Sequence, residues 1–239
     1  MRILPAIDLK NGKCVRLLKG DFNNITEYNC DPYEQANIFK SNQLNYLHIV
    51  DLDGAETGNQ FNKNVIKEIL SISNLSIQVG GGIRSLKNVE NMLESGVSRV
   101  IVGTALFQDN FIKELERNFD SSQIVLALDF RINNNIPSIY THGWQDNSEI
   151  ELYEFIRNNP FFNNILATDI SLDGGMQGPS FLEYKKILSL FPSLNLIASG
   201  GIRSLDDLDL LKTMNINEAI IGKAIYEQNI SLLELTNDY

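Results

Sequence analysis

Short apolar runs alternate with longer amphipathic stretches along this chain. The runs are RILPAID, YLHIVDL, SIQVG, RVIVG, IVLALDF, NILATDI, NLIASG and EAIIG. They are rich in Ile, Val and Leu, the pattern of parallel strands buried on both faces. Between them, apolar residues recur at three- and four-residue spacing, which predicts helices. These stretches are Tyr33–Ser41, Lys63–Ser71, Leu86–Ser95, Asn110–Asn118, Glu149–Arg157, Phe181–Leu190 and Leu205–Met214. Eight strand–helix units in 239 residues predict an α/β fold, a single-domain (β/α)8 barrel spanning 1–239. The stretch Asn133–Ser148 carries neither pattern. It reads as an irregular loop after strand 5, of a length found in active-site covers.

The pattern repeats within the chain. Gly81-Gly82-Ile83-Arg84-Ser85-Leu86 recurs as Gly200-Gly201-Ile202-Arg203-Ser204-Leu205, and the same offset carries Gly103 onto Gly222. PAIDLK at Pro5–Lys10 aligns with LALDFR at Leu126–Arg131, so Asp8 meets Asp129. VDLDGAETG at Val50–Gly58 aligns with TDISLDGGMQG at Thr168–Gly178 through a two-residue insertion. Asp51 then meets Asp169, Asp53–Gly54 meets Asp173–Gly174, and Gly58 meets Gly178. The barrel reads as two fused half-barrel repeats, approximately 1–120 and 121–239.

Composition narrows the partners. A net charge of −10 and a pI near 4.7 argue against nucleic acid and against an anionic membrane surface. No apolar run reaches the roughly 18 residues that a membrane span needs. Met1 leads directly into RILPAIDL with no basic segment before a long apolar one, so no signal peptide is read. The two cysteines, Cys14 and Cys30, give neither metal spacing nor a disulfide framework and are not read as a redox pair. The expectation is a cytoplasmic monomer whose partner is a small molecule.

In barrels of this kind, active sites form at the C-terminal ends of the strands. Gly80–Gly82 follows strand 3, Gly103–Thr104 strand 4, Gly200–Gly201 strand 7 and Gly222–Lys223 strand 8. Glycine lets backbone N–H groups approach a phosphate closely, and the next helix presents its positive end. Two such cups facing each other across one mouth predict a ligand with a phosphate at each end. Arg84 and Arg203 sit where a guanidinium could touch phosphate or stand in solvent at a helix start. Asp8 and Asp129 end the apolar runs of strands 1 and 5, where an unpartnered carboxylate is costly without a role. A pair of acids across one mouth can divide general-base and general-acid work if their pKa values are pushed apart and upward. Asp173, in the loop after strand 6, is a further candidate, and Asp51 and Asp169 read as structural. His48 lies mid-strand as a packing residue that could face the site. His142 and Trp144 lie in the long loop, where the indole could stack on a planar ligand. Without a Ser-His-Asp order, a P-loop or a metal-ligand cluster, no metal and no cofactor are expected.

LPAIDLKNGKCVRLLKGD at Leu4–Asp21, GGGIR at Gly80–Arg84, VIVGT at Val100–Thr104, HGWQ at His142–Gln145, TDISLDG at Thr168–Gly174, ASGGI at Ala198–Ile202 and IGKAIYE at Ile221–Glu227 carry a resemblance. In order, and over nearly the whole chain, they resemble the phosphoribosylformimino-aminoimidazole-carboxamide ribotide isomerases of histidine biosynthesis. The resemblance implies a bisphosphate substrate and a cofactor-independent Amadori rearrangement of an aminoaldose to an aminoketose. It implies Asp8 as general base and Asp129 as general acid, with Asp173 the alternative acid and Thr168 beside it. It implies substrate or phosphate contacts from Gly20, Gly81, Gly82, Arg84, Gly103, Thr104, Trp144, Gly178, Gly200, Gly201, Gly222 and Lys223. The related cyclase subunit of imidazole glycerol phosphate synthase usually opens with IPCLDV and VVKG and carries serine in its strand-6 loop. PAIDL, CVRL and TDIS favour the isomerase. Some relatives also isomerise phosphoribosylanthranilate, and that alternative stays open. Leu172 and Gly175 depart from the usual residues of the strand-6 loop.

Overall fold

A computed structural model describes residues 1–239 apart from Lys19, Gln60 and the side chains of Leu18 and Asn23. Lys19, part of the opening motif, therefore lies outside the described residues. The eight predicted runs are all strands: β1 (Arg2–Lys10), β2 (Tyr46–Asp51), β3 (Ser76–Gly80), β4 (Arg99–Val102), β5 (Ile124–Asn133), β6 (Asn164–Asp169), β7 (Asn195–Ser199) and β8 (Glu218–Ile221). Each pairs in parallel with its neighbour in sequence. Pairing of β8 with β1 closes the ring, with Arg2 opposite Glu218 and Pro5 opposite Ile221. Around it lie helices α1 (Pro32–Ser41), α2 (Lys63–Leu70), α3 (Leu86–Glu94), α4 (Phe111–Asn118), α5 (Leu152–Asn158), α6 (Phe181–Leu190), α7 (Leu205–Thr213) and α8 (Leu232–Asp238). This is a single-domain (β/α)8 barrel.

The alternation of side chains along each strand decides what faces the lumen. Leu4, Ala6, Ile101, Val125, Leu166, Ile197 and Ile220 form an inner cluster. Their neighbours in sequence, such as Ile3, Ile7, Val100, Val102, Ile124 and Leu126, join the larger cluster that packs against the helices. Counting in twos from the inner set toward the strand C-termini, Leu4 and Ala6 lead to Asp8. Val125 and Ala127 lead to Asp129, and Leu166 leads to Thr168. The same count that fills the barrel with hydrocarbon therefore aims these three polar side chains into its mouth.

The opposite end of the barrel is closed by charge. Glu218, 1% exposed, receives Arg99 at 2.6 Å and Arg2 at 2.8 Å, and Asn195 donates to it at 3.1 Å. Arg2 also lies 4.3 Å above the ring of Tyr46. These contacts hold the Glu218 carboxyl below its ordinary pKa despite burial, so the plug stays ionised.

Two β-hairpins grow from β1 and β5, and the predicted irregular loop is one of them. Lys13–Leu18 pairs antiparallel with β1 and with Asp21–Glu27. Ile136–Thr141 pairs antiparallel with β5 and with Asp146–Glu151. The expectation of irregular chain over Asn133–Ser148 is thus corrected, as is helix over Glu149–Glu151, since α5 starts at Leu152. The physical reason is turn chemistry. Asn11 and Gly12 have φ of 51° and 77°, and Asn134 and Asn135 have 50° and 66°. Paired positive φ in a two-residue connection is the type I′ geometry that suits hairpin twist, and Asn and Gly tolerate it best.

Candidate active site

The lumen opens at the C-terminal ends of the strands into a cavity of about 440 Å3. Asp8, Arg16, His48, Gly81, Gly82, Arg84, Gly103, Thr104, Asp129, Trp144, Thr168 and Asp173 all line it, as does Gly20. The structure thus brings both predicted carboxylates, the third acid and one glycine cup to a single space. Gly178, Gly200, Gly201, Gly222 and Lys223 are not among its walls. Over the β8 turn lies Arg16, whose Cζ is 2.8 Å from where a Cβ on Gly222 would sit. Lys223 Nζ donates to the Gly174 carbonyl at 3.1 Å, which holds the strand-6 loop down on that side.

The two cups nevertheless share one local design. Ser85 caps α3 and Ser204 caps α7, each accepting from a backbone N–H three residues on. Arg84 donates to the carbonyl of Ala55 at 2.9 Å, and Arg203 to that of Gln177 at 3.4 Å. Both guanidiniums therefore tie a glycine turn to the preceding loop. A Cβ on Gly82 would lie 2.4 Å from the Gly54 carbonyl oxygen, and one on Gly201 would lie 2.3 Å from that of Gly178. Only glycine permits either approach. Asp51 accepts from the Gly54 N–H and from Asn62, and Asp169 accepts from Ser171 and Ser180. Both acids brace loops.

Asp8 and Asp129 differ in what surrounds them. Asp8 is ion-paired to Arg16 at 2.8 Å, and the same guanidinium reaches Asp173 at 3.3 Å. Burial raises the Asp8 pKa, Arg16 opposes that rise, and Asp173 adds to it. Asp129 has neutral partners: Trp144 Nε1 donates to its Oδ2 at 2.8 Å, and the Thr168 hydroxyl lies beside it. Thr168 stands opposite Asp129 in the β5–β6 register. Burial pushes the Asp129 carboxyl up to about 6 against those two hydrogen bonds. Two carboxyls on one cavity are thus tuned by different means, one by a cation and one by neutral donors.

His48 lies within 2.9 Å of Gln78 on the cavity floor. Burial, with Arg16 and Arg99 nearby, pushes its pKa down to about 3, so it presents a neutral ring. His142 stands at the rim, 3.0 Å from Asp146. Among the described residues, no group of three or more His, Cys, Asp or Glu side chains gathers as a metal site. No helix of the described chain is long and apolar enough to cross a membrane.

Sequence reading did not single out Arg16. Its signal was the Asn11-Gly12 turn, which folds Lys13–Leu18 back along β1 and brings a basic side chain to Asp8.

The chain is similar to known proteins over its whole length. A model of a family described as histidine biosynthesis protein matches residues 2–231. A 1-(5-phosphoribosyl)-5-((5-phosphoribosylamino)methylideneamino) imidazole-4-carboxamide isomerase of Francisella philomiragia is 43% identical over 237 residues, 98% of each chain. Enzymes of the same name from Elusimicrobium minutum and Pelagibacter ubique are 44% and 41% identical. Those matches cover 98% of this chain and 98% of the former, and 100% of this chain and 99% of the latter. The chain belongs to the histidine biosynthesis protein family.

Proposed function

We propose that this chain is a cofactor-independent isomerase of histidine biosynthesis. It converts the N-linked aminoaldose with a phosphate at each end, the ribotide of its relatives' name, to the aminoketose. The observation that carries this reading is the pair Asp8 and Asp129. They project from β1 and β5 into one cavity, and burial raises both pKa values.

In the proposed reaction, Asp129 gives a proton to the ribose ring oxygen. The ring C–O bond breaks, that oxygen leaves as a hydroxyl, and the anomeric carbon becomes a protonated Schiff base. Asp8 removes the proton from the second sugar carbon, and that electron pair neutralises the iminium to give an enol-amine. The protonated Asp8 returns a proton to the first carbon, and the enol proton passes to the Asp129 carboxylate, which leaves the ketone and restores both groups. With a pKa of about 6, roughly a tenth of Asp129 carries the proton at pH 7, against less than a hundredth for an ordinary aspartate. Arg16 opposes the burial of Asp8, which favours the ionised form a base requires. That contrast supports Asp129 as the acid over Asp173, which Arg16 pairs. The cup of Gly81, Gly82, Gly103 and Thr104 would hold one phosphate. Gly178, Gly200, Gly201, Gly222 and Lys223 would hold the other after the Lys223–Gly174 contact yields. Trp144 would cover the planar imidazole carboxamide, and Arg84 would brace the first cup.

An absorbance assay with the aminoaldose ribotide tests this, using excess cyclase and ammonia to consume the ketose. Product formation that depends on this chain is expected. Turnover of the ketose by this chain in place of the cyclase, with none of the aldose, would overturn the reading.

A further inference from the structure

Trp144 is fixed on two sides. Its indole N–H meets Asp129 at 2.8 Å, and its six-membered ring rests on Gly20. A Cβ at Gly20 would lie 2.4, 2.7 and 2.9 Å from Trp144 Cε3, Cζ3 and Cδ2. The indole therefore occupies the space that any side chain at that position would fill. The two residues belong to different hairpins. Gly20 lies between Lys13–Leu18 and Asp21–Glu27, and Trp144 lies between Ile136–Thr141 and Asp146–Glu151. The contact continues beside them: Gly143 faces Phe22, and the His142 N–H donates to Thr104 at 3.1 Å. His142, Gly143 and Trp144 have φ of 52°, 65° and 71° in succession. Backbone held in that region by two non-glycine residues persists only where its surroundings over-determine it.

We infer that Gly20 is a positioning residue. Its bare Cα seats Trp144, so the two hairpins meet as one lid and deliver the indole N–H to Asp129. The catalytic consequence rests on the reading of Asp129 as acid, whereas the seating does not. Gly20 then acts through Trp144 and not by touching phosphate.

Trp144 is the chain's only tryptophan, so its fluorescence reports the seat directly. Gly20→Ala should raise acrylamide quenching of the ligand-free protein about twofold or more. It should also lower kcat/KM about tenfold, since misplacing a catalytic contact by an ångström costs that much or more. In a Trp144→Ala background the same Gly20→Ala change should alter kcat/KM by less than about twofold, as expected of residues acting through one contact. Gly20→Asn, easier in the left-handed region at φ 71°, replaces the alanine variant if that one fails to fold. Unchanged quenching would overturn the inference, and so would an equal activity loss in both backgrounds. If the intact chain shows no isomerase turnover, the functional reading fails, while the quenching comparison still decides the seat.

Discussion

Arg16 Nη1 donates to Asp8 Oδ2 across 2.8 Å, with Asp8 in β1 and Arg16 on the strand folded back along it. Burial alone would favour a protonated Asp8, which cannot act as a base. The guanidinium opposes that, while its second nitrogen engages Asp173 at 3.3 Å.

Arg16→Met removes that cation and leaves burial and Asp173, both of which raise the Asp8 pKa. The acidic limb of the kcat/KM profile should therefore move to higher pH. Activity at neutral pH should fall by about a hundredfold or more, with partial recovery as pH rises. An unmoved acidic limb would remove Arg16 from the tuning of Asp8.

Asp129→Asn has a stability signature of definite sign. The folded-state pKa is about 6 and the unfolded one 3.8, so the folded protein binds more protons between those values. Stability is then lost as pH rises through that window, and above it the ionised group costs about 3 kcal/mol. Asparagine carries no such cost and can still accept from Trp144. Asp129→Asn should therefore raise Tm by several degrees at pH 7.5, with the gain shrinking from pH 6 toward pH 4, while turnover is lost. Thermal melts across pH check this, and a gain that grows toward acid pH would contradict the assigned environment.

Glu218→Ala tests whether the far end of the barrel serves stability alone. The change leaves Arg99, with a side chain 15% exposed, without its carboxylate. Breaking a buried pair in this way costs about 3–5 kcal/mol, or roughly ten degrees of Tm in a chain of this length. Because the folded Glu218 pKa is lowered, its stabilisation is present above the unfolded value and is lost as pH falls through the folded one. kcat should stay within about twofold, since active sites in such barrels form at the C-terminal mouth and not at this face. A large kcat loss at full folding would show coupling through the lumen.

The barrel was legible because strands buried on both faces leave continuous Ile, Val and Leu runs, and eight of them survive in the sequence. Asp8 and Asp129 were legible as carboxylates at the ends of such runs. Arg16 was less so, because its importance depends on a hairpin whose only local sign is Asn11-Gly12. Asn133–Ser148 misled for the same reason: Asn134 and Asn135 make a tight turn, but their neighbours alternate too weakly to announce strands. The contact between Gly20 and Trp144 lay beyond any local pattern. It joins two hairpins 124 positions apart in the numbering, and nothing in either one states the other's height above the barrel.

In the proposed function, Asp8 is the base of an aldose–ketose rearrangement. Turnover of the aminoaldose ribotide by the intact chain and by Asp8→Asn tests it most directly. Steady conversion by the former is expected, with a kcat lower by about a thousandfold or more in the latter and Asp8→Asn folded by circular dichroism. Undiminished turnover by Asp8→Asn would contradict it.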